Sequence, residues 1–508
     1  MSTNRRDFIK YVVAGSIAAG CPVDLSLLVA ETAPQPAVDG EDNRICHQVR
    51  DGKVFTLPPA SARHDVVIVG GGVSGISAAY FMQDRDFLLL EKEPHWGGNA
   101  YLMEYEGNAF ATGSAFLGKN ESAAFGLARE IGLDPLPIND RDSTIIRGEW
   151  IADTWTDGLN RLPYAASVRE GFKKFKKDTL AIDLGRRRNE LDNLPFSDFM
   201  KGYPAEVKQW WDNYGPSNWG AVSEHTSAAL GIAELKEIGR DDVVPDFYTW
   251  PGGLGAITKK LAEILTPKFA DRMRTGATTI AVVPGKKEVQ VTYMQGAELK
   301  TVTAKAVIMA TPKFITRRIV QGLPEKQSDA MHQIHYIPYP VVNLIFDKPV
   351  FNKSYDTWCP GNTFTDFIVA DWVVRNQPGY HQKYNIITCY TPLKEEDRGY
   401  LLTESSTRKI AVKVLRDFQK LFPGSNVDPL EVHIYRRGHP LFVSTPGLYT
   451  RVQPLVREPM ERVFFANTDS EGPESTTNKA ILAARRAVKE AEHRLAGKPA
   501  ATRKAISG

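Results

Sequence analysis

The segment Gly70-Gly71-Gly72-Val73-Ser74-Gly75 constrains this chain more than any other, because of what flanks it. Before it, Asp65-Val66-Val67-Ile68-Val69 is a β-branched run of the kind buried in a parallel sheet. After it, Ile76 to Gln83 reads as a helix with small residues facing the sheet, and Phe87-Leu88-Leu89-Leu90 reads as a second strand ending at Glu91. Together they form a βαβ unit. A bare G-x-G-x-x-G says little, but here strand, helix and acidic residue are all in place. Gly70 makes the tight turn, Gly72 lets the backbone approach a pyrophosphate, and Gly75 lets helix and strand pack closely. The helix start at Val73 and Ser74 offers free N–H groups and partial positive charge to phosphates. Glu91 can accept two hydrogen bonds from a ribose diol, and its charge would repel a 2'-phosphate. To this point the unit suits NAD and FAD alike.

The residues that follow decide between them. Glu91-Lys92-Glu93-Pro94-His95-Trp96-Gly97-Gly98-Asn99 runs straight into a second glycine pair, and Phe110-Ala111-Thr112-Gly113-Ser114 follows. Trp250-Pro251-Gly252-Gly253-Leu254-Gly255 precedes a predicted helix from Ala256 to Leu265. Ala306 to Pro312 is a strand ending in Ala-Thr-Pro, and Phe464-Phe465-Ala466-Asn467-Thr468-Asp469 leads to Ala480-Ile481-Leu482-Ala483-Ala484. This set resembles the flavin amine oxidase and phytoene desaturase superfamily, over roughly 65–118, 250–346 and 440–490.

The resemblance implies FAD as cofactor. It also implies an α/β fold in which a Rossmann-like FAD-binding domain of the GR2 type is interleaved with an α+β substrate domain. On that reading 65–118, 250–320 and 455–495 build the cofactor domain, while 119–249 and 321–454 build the substrate domain. Residues 33–64 are expected as a linker or surface arm and 496–508 as a flexible tail. In such a fold Gly97, Gly98 and Asn99 pass the flavin-side phosphate, with Lys92 next to Glu91. Gly113 and Ser114 approach the isoalloxazine, and Ala277, Thr311 and Asn467 border the cofactor. Asp469 accepts from the ribityl or phosphate region. The C-terminal helix, starting near Asn478, aims its N-terminus at the flavin.

Two departures bear on the reaction. The family's oxidases usually carry Arg after the double glycine, where this chain has Asn99. By spacing from Phe346, Val341 stands where many amine oxidases place the lysine that helps reduced flavin meet oxygen. Its absence favours a dehydrogenase passing electrons to a quinone or a cytochrome over an oxidase using oxygen. Tyr435 falls where an aromatic residue often enters the flavin pocket, making it the candidate catalytic residue.

The remainder of the chain narrows the setting. Asn4-Arg5-Arg6-Asp7-Phe8-Ile9-Lys10 followed by a short apolar stretch reads as a twin-arginine (Tat) export signal within residues 1–32, implying a periplasmic or other extracytoplasmic enzyme that acquires its cofactor before export. Cys21 after Ala18-Ala19-Gly20 would tether the chain to a membrane if lipidated; a cut near Ala30 to Ala33 is the alternative. Four cysteines make no disulfide framework for 508 residues, and Asn43 stands where a haem-attachment site before Cys46-His47 would need its first cysteine. His332 and His335 have ligand spacing but no second pair, so no metal is expected. A formal net charge of +3 without a basic face argues against a nucleic-acid partner. No P-loop or Ser/His/Asp site supports a hydrolytic reading. The stretch 119–246 reads as polar and helical, its tryptophans (Trp150, Trp155, Trp210, Trp211, Trp219) as core rather than tunnel, and Phe464 and Phe465 as core strand. Three functions stay open: oxidation of a small amine, polyamine-like first; desaturation or isomerisation of an apolar polyene; and a non-catalytic flavoprotein subunit.

Overall fold

In the computed structural model, which describes residues 34–242, 247–375, 377–381, 383–425 and 427–497, Val66–Val69 are buried at the centre of a seven-stranded sheet. Their strand, Ala60–Val69, lies parallel to Phe87–Leu90 on one side and to Glu298–Met309 on the other. On its other side Glu298–Met309 serves two further partners: its first part pairs antiparallel with Val289–Gln295, while Val307–Met309 pairs parallel with Val463–Phe465. Ala277–Pro284 closes that edge and Met273–Arg274 the other. The helices Val73–Phe81 and Thr477–Leu495 pack against each other on the sheet, and Ser74 Oγ donates to the Ala480 carbonyl at 2.9 Å between them. Small residues at this seam (Ala78, Ala79, Ala483, Ala484, Ala487) allow the close approach.

A second, eight-stranded mixed sheet runs in the order Ala37–Gly40, Glu431–Arg436, Val341–Phe346, Asn385–Tyr390, Asp366–Val369, Asp356–Trp358, Ser143–Ile146, Glu149–Ile151. The helices Ala166–Leu180, Ala205–Trp219 and Ala228–Ile238 form an aromatic cluster beyond its far edge. Trp155, Trp210, Trp211 and Trp219 are buried in that cluster and fill core, whereas Trp150, on Glu149–Ile151, is half-buried against the large sheet's own core. Phe464 and Phe465 are buried as well.

Two expectations need correcting. Residues 34–64 are more than a linker or surface arm: Ala37–Gly40 forms an edge strand parallel to Glu431–Arg436, Arg44–Arg50 is helical, and the central strand already begins at Ala60. A four-residue strand and a helix without a buried face carry too little periodicity to be read. Likewise, 119–246 is not wholly helical, because Ser143–Ile146 and Glu149–Ile151 form a hairpin that extends the large sheet. The Tat segment, Cys21 and residues 498–508 lie outside the described residues. No helix among the described residues is long and apolar enough to cross a membrane.

Candidate active site

The strand Ala60–Val69 ends in a turn that only glycine makes at low cost. Gly70 sits at φ +102°, and a Cβ on Gly75 would lie 1.7 Å from the Gly70 carbonyl oxygen. Glu91, 7% exposed, locks the turn from the next strand: its carboxylate accepts from the Gly71 N–H at 2.6 Å and the Glu93 N–H at 2.8 Å. Burial raises the pKa of Glu91, and Lys92 works against that rise. Burial alone would lower Lys92, but Glu41, Glu93 and Glu91 outweigh it and hold the ammonium charged.

From this turn a cavity of about 970 Å³ extends to the edge of the large sheet. Its floor is Gly70, Gly72, Val73 and Ser74, with Glu91, Lys92, Gly98 and Asn99 beside them. Ala277, Thr311, Asn467 and Thr468 line it as well, as do Ser114, Tyr435 and Arg437. Two helix starts open onto it, at Gly72 and at Thr476, whose hydroxyl accepts from the Lys479 N–H at 3.2 Å. Both supply partial positive charge to an anion.

Four anticipated residues are not on this wall. Gly75, Gly97 and Gly113 lie behind it, serving close packing; a Cβ on Gly113 would meet the Asn99 carbonyl at 2.2 Å. Asp469 is the clear correction. It is fully buried, and its carboxylate takes Lys313 Nζ at 2.6 Å, the Lys313 N–H at 2.9 Å and the Tyr336 hydroxyl at 2.7 Å. Its acceptor capacity is directed to the protein, not the cavity. Lys313, equally buried, also donates to the Ala466 carbonyl, tying the Ala-Thr-Pro segment to the closing strand.

Tyr435 reaches the cavity, its ring under the Arg437 guanidinium at 4.1 Å and its hydroxyl 3.0 Å from His95 Nε2. Burial raises the pKa of Tyr435 and lowers that of His95, disfavouring the charged form of each. Val341 lies buried in strand register with Tyr435 and Tyr390. Arg437 escaped the sequence reading. Its guanidinium, 98% buried at the residue level, donates to the carbonyls of Thr112 and Gly98 and to Thr112 Oγ1. Among the described residues no carboxylate pairs with it directly, although Glu41 acts on it across a longer distance. A buried cation held only by neutral oxygens is costly unless an anion joins it. It brings to Gly98 the positive charge that Asn99 does not carry; Asn99 itself donates to the Pro440 carbonyl at 2.7 Å. The sequence signal was the Tyr435-Arg436-Arg437 triplet, whose alternation along a strand puts 435 and 437 on one face. Glu41, Asn43, Cys46 and His47 of the N-terminal segment also line the cavity. His332 and His335 join no metal-binding cluster among the described residues.

Residues 73–491 match the family described as flavin containing amine oxidoreductase. The chain belongs to that family. It is 22% identical over 505 residues to Oxidoreductase PigB of Serratia sp. (strain ATCC 39006), covering 82% of this chain and 73% of that protein. It is 22% identical over 449 residues to the flavin-containing amine oxidase A of Equus caballus, covering 80% of each. The fold matches that of wild-type putrescine oxidase bound to putrescine, with a TM-score of 0.64 at 16% identity, over 84% of this chain and 98% of that one. As a flavin-containing amine oxidoreductase, this chain is an enzyme and its cofactor is FAD. The cavity fits that group. Its size is right for a large cofactor, and an added Cβ at Gly72 would meet no atom closer than 3.8 Å, leaving the floor open to a pyrophosphate.

Proposed function

We propose that this flavoenzyme oxidises a small amine, polyamine-like first among the candidates, by hydride transfer to FAD. FAD, when bound, takes the hydride equivalent from the carbon beside the amine nitrogen. The observation that carries the reading is the continuity of one cavity from the Gly70–Ser74 turn and Glu91 to Ser114 and Tyr435. On this reading Glu91 holds the ribose diol, and the helix starts at Gly72 and Thr476 face the phosphates and the flavin end. Lys92, Arg437 and Asn99 border the cofactor. Tyr435 supplies an aromatic wall to the cavity, flanked by the Arg437 guanidinium over its ring and by His95 at its hydroxyl. Anaerobic addition of a panel of amines to the FAD-loaded enzyme tests this. Bleaching of the flavin by amines is expected; no bleaching by any monoamine or polyamine rejects it.

Val341 supports a dehydrogenase rather than an oxidase, with a quinone or cytochrome as acceptor. The reduced enzyme should reoxidise faster with a quinone than with air, and fast reoxidation in air would reject that assignment. The arginine pair Arg5-Arg6 supports Tat export. R5K/R6K should retain the enzyme in the cytoplasm, and unchanged export would reject that route.

A further inference from the structure

The N-terminal segment runs from one sheet to the other along the cofactor cavity. Its strand, Ala37–Gly40, is the edge of the large sheet, paired parallel to Glu431–Arg436 with Ala37 opposite His433 and Gly40 opposite Arg436. Its helix, Arg44–Arg50, packs instead beside the seven-stranded sheet, against Ala277–Pro284 and Lys313–Ile319. Between strand and helix the chain is fastened to both sides. The Asp42 N–H donates to the carboxylate of Glu93, in the segment that follows Glu91, at 3.1 Å. The Glu41 carboxylate accepts from the Gly438 N–H at 3.1 Å, and the Glu41 N–H donates to the Arg436 carbonyl at 3.2 Å. The segment lines the cavity from Gly40 to Arg44 and again at His47. Its anchor points Glu93 and Gly438 line the cavity too, as do Thr279 and Phe314 of the elements under its helix.

The segment buries little of its own surface. The strand has four residues and the helix seven, and neither contains a fully buried residue. A helix this short is marginal by itself, and so little apolar burial stabilises its docking weakly. Its position therefore depends on the two walls that it joins. A ligand held by both of those walls keeps them in place for the segment. By linkage, the docked segment tightens that ligand by the same free energy.

We propose that residues 37–50 form a clasp on the FAD site. The dinucleotide enters while the segment is undocked, and docking then closes the wall beside Glu91 and slows its release. Glu41 and the Asp42 N–H are the fastenings, one to the Gly438 loop next to Arg437 and the other to Glu93. The clasp lies ahead of residues 73–491, so the family match does not include it.

Gly40 offers a way to unseat it. Its φ is +132°, and a Cβ there would stand 2.2 Å from the Arg436 carbonyl oxygen, with Arg436 also supplying its other nearest atoms. Gly40→Val should thus push the strand off its partner. The opposite perturbation is a staple, Ala37→Cys with His433→Cys, on directly opposed residues. Neighbouring strands lie about 4.8 Å apart, within disulfide reach. FAD release on dilution of the loaded full-length protein, and FAD uptake by the apoprotein, are both read by flavin fluorescence. Gly40→Val should release FAD about tenfold faster than the wild type or more, since two hydrogen bonds to carboxylates are lost. The staple oxidised after loading should release FAD about tenfold more slowly than with dithiothreitol, and oxidised before loading it should take FAD up about tenfold more slowly. A strand that serves only the sheet would lower the melting midpoint of loaded and empty Gly40→Val alike and leave release at the wild-type rate, which overturns the clasp. A staple that changes neither rate overturns it whatever Gly40→Val does, including a failure of that variant to fold.

Discussion

Gly75 and Gly72 are three residues apart, yet alanine at each should fail in a different way. At Gly75 the new Cβ would stand 1.7 Å from the Gly70 carbonyl oxygen, 2.8 Å from its carbon and 3.3 Å from the Ala310 Cβ. Carbon and oxygen ordinarily approach to about 3.3 Å, so the helix start must retreat by roughly 1.5 Å from the turn. A hydrogen bond stretched that far is lost. Losing two charge-assisted bonds to a phosphate removes about 3–6 kcal/mol, raising the Kd for FAD by about a hundredfold to ten-thousandfold. The overpacking should also cost the apoprotein about 1–3 kcal/mol. At Gly72 the backbone is ordinary (φ −70°, ψ −172°) and the nearest atom to a Cβ is the Gly98 Cα at 3.8 Å. G72A should therefore fold as stably as the wild type, within about 0.5 kcal/mol, while its methyl intrudes where the pyrophosphate must lie. Thermal melting of the apoproteins, together with flavin fluorescence titration, reads both effects. If G75A binds FAD normally, or if G72A destabilises the apoprotein as much as G75A, the assigned geometry of the turn is wrong.

Other residues make separate predictions. Lys313→Met leaves the fully buried Asp469 carboxylate without its cation and should cost about 3–5 kcal/mol in urea unfolding; adding D469N should recover part of that loss, and an unchanged midpoint would refute the pairing. Arg437→Met should weaken FAD retention and shift the bound flavin's reduction potential to more negative values, by about 30 mV or more in a spectroscopic titration; an unchanged potential would mean the guanidinium is only structural. Glu234 is held at about 8 against an ordinary 4.5, so between these values the unfolded chain has lost a proton that the fold retains, and stability falls as pH rises through that window. E234Q should flatten that fall by up to about 1.4 kcal/mol per pH unit, and parallel pH profiles for both proteins would exclude Glu234 as its source.

The cofactor turn could be read from sequence because each of its signals is local. A β-branched strand, glycines at fixed offsets and an acid at the next strand end all fall within Asp65 to Glu91, and the structure places them together. The N-terminal edge strand could not, since Ala37–Gly40 takes its meaning from a partner almost 400 residues away. Asp469 was assigned to the ligand because its neutralising partner, Lys313, lies 156 positions upstream and no spacing rule connects them. The same limit hid Arg437, whose importance comes from its burial beside Gly98 rather than from its neighbours in sequence.

One anaerobic experiment bears on the assignment most directly. The FAD-loaded enzyme is mixed with one equivalent of spermidine, the flavin absorbance is followed, and the product is analysed for a new carbonyl group. Bleaching of the flavin with formation of an aldehyde in matching amount is the predicted result. A flavin that stays oxidised with spermidine and every other amine, yet is reduced at once by dithionite, would contradict amine oxidation in this cavity.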